Sequence, residues 1–278
     1  MKKILIYISI LLTSATFNGC YDLNTYPGDK VSENLFYQTE EHAKQGLMGI
    51  YGMLRDNHAY GYQFLFDHLA DIAYGYDYYM MYLGTYSDRS AEIQSKWQTM
   101  YDGIQRANSY LRVIPTMDVL TEEQKNEYMA EARFLRGMFY FTLLDLYGGV
   151  PYYDETTNLN VEYVGLKKPR SSAEEIRAHI ISDLNEAVAY LPVRHNDSDY
   201  GRATKGAAYA LRGKVYLYNK EWQNAIADFE EIVNNKSNNY GYGLDADYAH
   251  IFKLYNGDKS SELSLIHISE PTRRVVIS

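Results

Sequence analysis

The segment Ala132-Arg-Phe-Leu-Arg-Gly-Met-Phe-Tyr140 returns further along the chain as Ala208-Tyr-Ala-Leu-Arg-Gly-Lys-Val-Tyr216, and this repetition decides the fold. A segment of helical periodicity that recurs at a long interval marks stacked helical hairpins, each too small to bury its own apolar face. Around the second copy, Tyr209, Gly213, Tyr216, Ala225 and Phe229 fall at the relative spacing of the tetratricopeptide pattern. Small residues there let two antiparallel helices approach, and large ones fill the gap. Arg212 in place of the usual leucine and Ser237 in place of the closing proline depart from the pattern. The second-helix pair Ala187/Leu191 recurs as Ala225/Phe229 at only half the interval that separates Ala132 from Ala208, which places an insertion as long as the other half inside the first hairpin. That insertion contains Gly148-Gly-Val-Pro-Tyr-Tyr153, and insertions into helical repeats map to loops on one face.

Outward from the repeat, long segments keep helical spacing and none of comparable length alternates as a strand would, so the chain reads as all-α. Thr39 with Glu40 and Glu41 starts a helix carrying Ala43, Leu47, Ile50, Tyr51 and Leu54 on one face. From Ser90, Ile93, Trp97, Met100, Tyr101, Ile104, Ala107 and Leu111 follow at spacings of three and four until Pro115 stops them. Thr121-Glu-Glu-Gln124 and Ser172-Ala-Glu-Glu175 are capping boxes that open two further helices. Between Met138 and Leu144 the first of these is apolar nearly all round, so it is buried on most sides. Gly148-Gly149 ends it with residues that tolerate positive φ, and Pro151 prevents its resumption.

At the N-terminus, Lys2 and Lys3 precede an apolar run from Ile4 to Leu12 that is too short to span a bilayer, which reads as an export signal over residues 1–19. Cys20 is the only cysteine, so no intramolecular disulfide is available and the thiol has another use. Gly19-Cys20 at the end of the apolar run resembles a bacterial lipobox, in which the sulfur takes a diacylglycerol; an ordinary secretory peptide with an incidental cysteine is the plainer alternative. Phe17 and Asn18 depart from the usual aliphatic-small pair. Residues 263–278 show neither core periodicity nor caps and read as a non-native, adapter-derived tail. Without both ends the body of residues 20–262 holds 23 basic and 35 acidic residues, about −12 in net charge. Such a surface repels phosphate backbones and anionic headgroups, so nucleic acid is excluded as a partner and attachment to a membrane falls to the lipid.

The seven histidines show no metal-ligand spacing, the lone cysteine excludes cysteine-based zinc sites, and no nucleophile elbow, Walker loop or dinucleotide fingerprint appears. Paired acids such as Asp71 with Asp77 or Asp245 with Asp247 read as solvated loop residues, because a glycosidase pair is defined by separation in space. No cofactor and no catalytic residue is therefore assigned.

Glu131-Ala-Arg-Phe-Leu-Arg-Gly137, Phe139-Tyr-Phe141 and Leu146-Tyr-Gly-Gly-Val-Pro151 together resemble the hallmark of the SusD/RagB family. The lipobox cysteine, Trp97 with Tyr101, Ile104, Ala107 and Asn108, and Arg202-Ala-Thr-Lys-Gly-Ala-Ala208 follow in the order that family shows. The resemblance covers roughly residues 20–262. It implies a scaffold of tetratricopeptide-like hairpins with long inserted loops, anchored on the cell surface by a lipid in the outer membrane, which captures glycans or peptides for a SusC-like TonB-dependent transporter. Family members are considerably longer, which implies that a second half is missing. A glycan-cleaving helical envelope protein is the alternative from another class.

The ligand signal is aromatic. Eight of the thirty tyrosines lie between Tyr60 and Tyr86. Tyr74, Tyr76 and Tyr78 fall at i, i+2 and i+4, a spacing that scatters them around a helix and so points to loop or extended chain. Flat rings on a loop can stack on the apolar faces of sugars while acids hold the hydroxyls. The expected wall is Asp71, Tyr74, Tyr76, Asp77, Tyr78, Tyr79 and Tyr82. The competing readings are that these rings wedge between helices, as Tyr51, Tyr101 and Tyr140 are expected to do, or that they face the transporter.

Overall fold

The computed structural model describes residues 36–61, 64–70, 79–157, 167–196, 199–234, 240, 242–243 and 249. The segment read as an export signal, Cys20 and residues 263–278 lie outside these. Six long helices lie within one compact unit that starts at Gln38: α1 Glu40–Tyr51, α2 Ala91–Val113, α3 Glu122–Tyr147, α4 Ala173–Tyr190, α5 Lys205–Tyr218 and α6 Trp222–Val233. Among the described residues there is no strand. Both capping boxes form: the side chains of Thr121 and Ser172 accept from the backbone of Gln124 and Glu175, whose own side chains reach back to the cap nitrogens. Gly148 ends α3 at φ 70°, where a side chain would be strained, and Gly149 passes so close to Ser171 that a Cβ would sit 2.2 Å from its carbonyl oxygen.

α3 is the spine, packed against α1, α2 and α4. Its second half is enclosed as its composition requires, with Phe139, Tyr140, Phe141 and Leu143 all buried. Tyr51 and Tyr140 are wedged between helices at 1% exposure, whereas Tyr101 keeps part of its surface open.

The two hairpins, α3/α4 and α5/α6, are built on one plan. A Cβ on Gly213 would lie 2.7 Å from the Phe229 ring, and one on Gly137 would lie 3.5 Å from Leu184, so each glycine admits the large residue of the partner helix. Arg212 grips Asp228 through two bonds of 2.8 and 2.6 Å, and Arg136 grips Asp183 through two of 2.8 and 2.7 Å. Arginine replaces leucine in the repeat because it finds this carboxylate.

These equivalences correct the register expected from sequence. Leu184, not Leu191, corresponds to Phe229, and Asp183 corresponds to Asp228. The second helices are thus further apart along the chain than the pairing of Ala187 with Ala225 implies, and the insertion in the first hairpin is shorter by the same amount. The two registers differ by close to two helical turns, so both align the same helix face and periodicity alone cannot separate them.

Candidate functional site

Of the expected wall, Asp71, Tyr74, Tyr76, Asp77 and Tyr78 lie outside the described residues, and so does the side chain of Tyr79. Tyr79–Tyr82 is a single helical turn that buries Met81 and leaves Tyr82 exposed. It packs against the short helix Phe64–Leu69. Together these pieces and the turn after them leave Phe66, Tyr82 and Tyr86 exposed by 41%, 41% and 44%, with Leu69 and Leu83 beside them in the chain. Asp88 and Arg89 are exposed on the following turn.

Tyr60, counted with the tyrosine cluster, is a packing residue. Its hydroxyl meets Thr142 Oγ1 of α3 at 2.7 Å, and burial raises its phenol well above the ordinary range. Beside it Lys96 is buried on α2, donating to the carbonyl of Ala59 with its ammonium over the rings of Tyr60 and Phe66. Phe66 and Lys96 were not singled out in the sequence, although Lys96 sits three residues after Ile93 and four before Met100, on the apolar stripe itself.

A second aromatic assembly surrounds the loop 148–157 that follows α3. Trp97 lies 5.1 Å from both Tyr101 and Tyr147, Tyr101 lies 6.0 Å from Tyr153, and Tyr152 stacks on His179 at 3.7 Å with planes 6° apart. The loop is fixed through its backbone. Tyr101 donates to Pro151 O at 2.7 Å, Asn108 donates to Tyr153 O at 3.0 Å, and the Tyr140 hydroxyl both donates to Tyr153 O and accepts from Tyr153 N at 2.8 Å. Arg170 closes the end of α3 by donating to Tyr147 O and Gly149 O, with its guanidinium 5.4 Å from the Trp97 ring centre. Burial pushes the Tyr147 phenol up to about 12. Phenols held neutral in this way act as hydrogen-bonding tips, not as bases.

The family-like motif 131–137 turns out to be an ionic skeleton. Glu131 is wholly buried and accepts from Tyr51 at 2.6 Å and from Arg202, whose other end lies 3.0 Å from Asp199. The Tyr51 hydroxyl accepts in turn from Ala203 N at 2.7 Å, which ties α1, α3 and the start of α5 at one point. Arg136 spends its remaining donors on Asn108 at 2.7 Å and Glu155 at 2.5 Å, so it links α2, α3, α4 and the 148–157 loop. Glu127, Glu131 and His195 bring ligand atoms within 4.8 Å of one another, the spacing of a metal trio. Arg202 already supplies the positive charge there and engages both oxygens of Glu131, so the trio fits an ion-pair knot and not a metal centre.

Hairpins with paired glycine contacts and an arginine–carboxylate clasp, carrying aromatic rings on inserted loops, define a helical-repeat binding scaffold. The chain belongs to the SusD-like family: residues 23–217 match the family described as "Starch-binding associating with outer membrane". It is 26% identical to SusD-like protein P25 of Formosa agariphila over 278 residues, covering 95% of this chain and 51% of that one. It is 30% identical over 152 residues to the starch-binding protein SusD of Bacteroides thetaiotaomicron, covering 53% of this chain and 25% of that one. A solved laminarin-binding SusD-like protein superposes with a TM-score of 0.69 at 28% identity, over 79% of this chain and 49% of that one. The chain thus spans about half the length of P25 and less of SusD.

Proposed function

We propose that this chain is part of a cell-surface lipoprotein that captures glycans and delivers them to a SusC-like TonB-dependent transporter. The observation that carries the reading is the exposed ring surface of Phe66, Tyr82 and Tyr86 beside the tyrosine-rich stretch, in a family whose members are named for starch and laminarin. In this reading Asp71, Tyr74, Tyr76, Asp77, Tyr78, Tyr79 and Tyr82 form the wall, the rings stacking on sugar faces and the acids holding hydroxyls. The relatives' names describe binding, so turnover is not part of the proposal.

The test is calorimetry of the protein against starch, laminarin, xylan and pectin, with a casein digest to represent peptide ligands. Each stacking ring is worth roughly 0.5–1.5 kcal/mol beyond area burial, so Tyr76→Ala/Tyr78→Ala is expected to weaken the best polysaccharide by about tenfold or more. Unchanged affinity with a collapsed melting temperature would mean that these rings are packing. Binding of the digest alone would move the protein to the peptide-binding branch.

Attachment to the outer membrane is assigned to Cys20. Among the described residues no helix is long and apolar enough to cross a membrane, and a body of about −12 has no electrostatic attraction to anionic lipid. Mass spectrometry of the membrane fraction is expected to find a triacylated peptide beginning at Cys20. A Cys20→Ala protein that stays with the membranes rules the anchor out.

A further inference from the structure

Among the described residues the buried cations Arg136, Arg202 and Lys125 each meet a carboxylate within 3.0 Å, and Lys96 meets none. Its ammonium donates to Ala59 O and lies 5.1 Å from the ring centre of Tyr60 and 5.5 Å from that of Phe66. Cation–π contacts of this length attract, and more strongly when water is excluded. Tyr60 is itself locked to α3 through Thr142, whereas Phe66 keeps 41% of its surface in solvent. One end of this assembly is therefore fixed to the hairpin core and the other faces outward.

We propose that Lys96 is a positioning residue that seats Phe66 at the surface as a sugar-stacking ring, extending the ligand wall beyond the tyrosines. The proposal rests on the glycan reading above. α2 and α3 give the base, on which Ala59, Tyr60 and Phe66 are gathered around the Lys96 ammonium. A ring held through its contact with an ammonium keeps its remaining surface free for a ligand.

The experiment follows hydrogen exchange at pH 7 in peptides covering 57–70, in wild type, Lys96→Ala and Lys96→Arg. Calorimetry on the same polysaccharide panel, laminarin first, is run on these and on Phe66→Ala and Tyr82→Ala. Lys96→Ala is expected to speed exchange in 57–70 at least tenfold, leave α3 unchanged and weaken binding; Lys96→Arg, which keeps the cation, restores part of the protection. Phe66→Ala is expected to weaken binding about tenfold with an unchanged melting temperature. Exchange in 57–70 that Lys96→Ala leaves unchanged overturns the positioning role. Full affinity in Phe66→Ala alongside a loss in Tyr82→Ala overturns the role of Phe66 while the glycan reading stands. A wild type that binds no polysaccharide of the panel overturns the glycan reading and the stacking role with it, and the exchange result still decides whether Lys96 seats the segment.

Discussion

Replacing Arg202 by methionine is expected to lower stability by about 3–5 kcal/mol at pH 8, because it leaves the wholly buried Glu131 without its cation. For a domain of this size each kcal/mol lowers the melting temperature by about 2–4 °C. The loss is expected to shrink in acid. Burial already pushes the Glu131 carboxyl above its ordinary value, against the pull of Arg202 and Tyr51. The folded chain consequently binds more protons than the unfolded one between the ordinary carboxylate range and that raised value, and stability falls as pH rises through the window. Without Arg202 the window widens, so Arg202→Met should be least destabilised near pH 5 and most near pH 8. Thermal melts at both values decide it; a deficit that is the same at the two pH values, or no deficit, sinks the assignment. Glu131→Leu/Arg202→Met, which removes both charges, is expected to recover most of the loss.

Arg136→Met is expected to cost a similar amount, about 3–5 kcal/mol, since Asp183 is left buried without its partner. Its effect should also be felt at a distance. Asn108 and Glu155 lose a donor together, and with it goes the Arg136 tie to the 148–157 loop, while the bonds of Tyr101 and Asn108 to the loop carbonyls stay. Hydrogen exchange in residues 150–157 should therefore accelerate more than exchange in α5 and α6, which are tied by their own clasp of Arg212 and Asp228. Arg136→Met/Asp183→Leu should restore the melting temperature without restoring loop protection, because the Arg136 donors to Asn108 and Glu155 stay absent. A single variant that melts like wild type would show that the network carries no stability.

The helices, their caps and the hairpin repeat were legible in the sequence because each depends on residues three or four apart. Thr121 with Gln124 and Ser172 with Glu175 are local devices, and local reading finds them. The register of the first hairpin was not legible, because a slip of two turns preserves every face. Partners of Glu131 and Arg136 lie 19 to 80 residues away, and no spacing rule connects Tyr51 to Glu131 or Asp183 to Arg136. The same holds for the candidate site. Tyr82 could be named from its neighbours, but Phe66 becomes a candidate only once Lys96 is seen over its ring, and Tyr60 stops being one when Thr142 is seen at its hydroxyl.

The bond from Ala203 N to the Tyr51 hydroxyl spans 152 residues. A chain made N-terminus first cannot form it until residue 203 has emerged, and the carboxylate of Glu131 arrives 80 residues after Tyr51. α2 and α3 can cover the apolar stripe of α1 earlier, so through that interval it is the Tyr51 hydroxyl and the Glu131 carboxylate that lack Ala203 and Arg202. The knot that joins α1, α3 and the start of α5 thus closes last, and the interval before residue 203 emerges is when the nascent chain carries the Glu131 carboxylate without its cation.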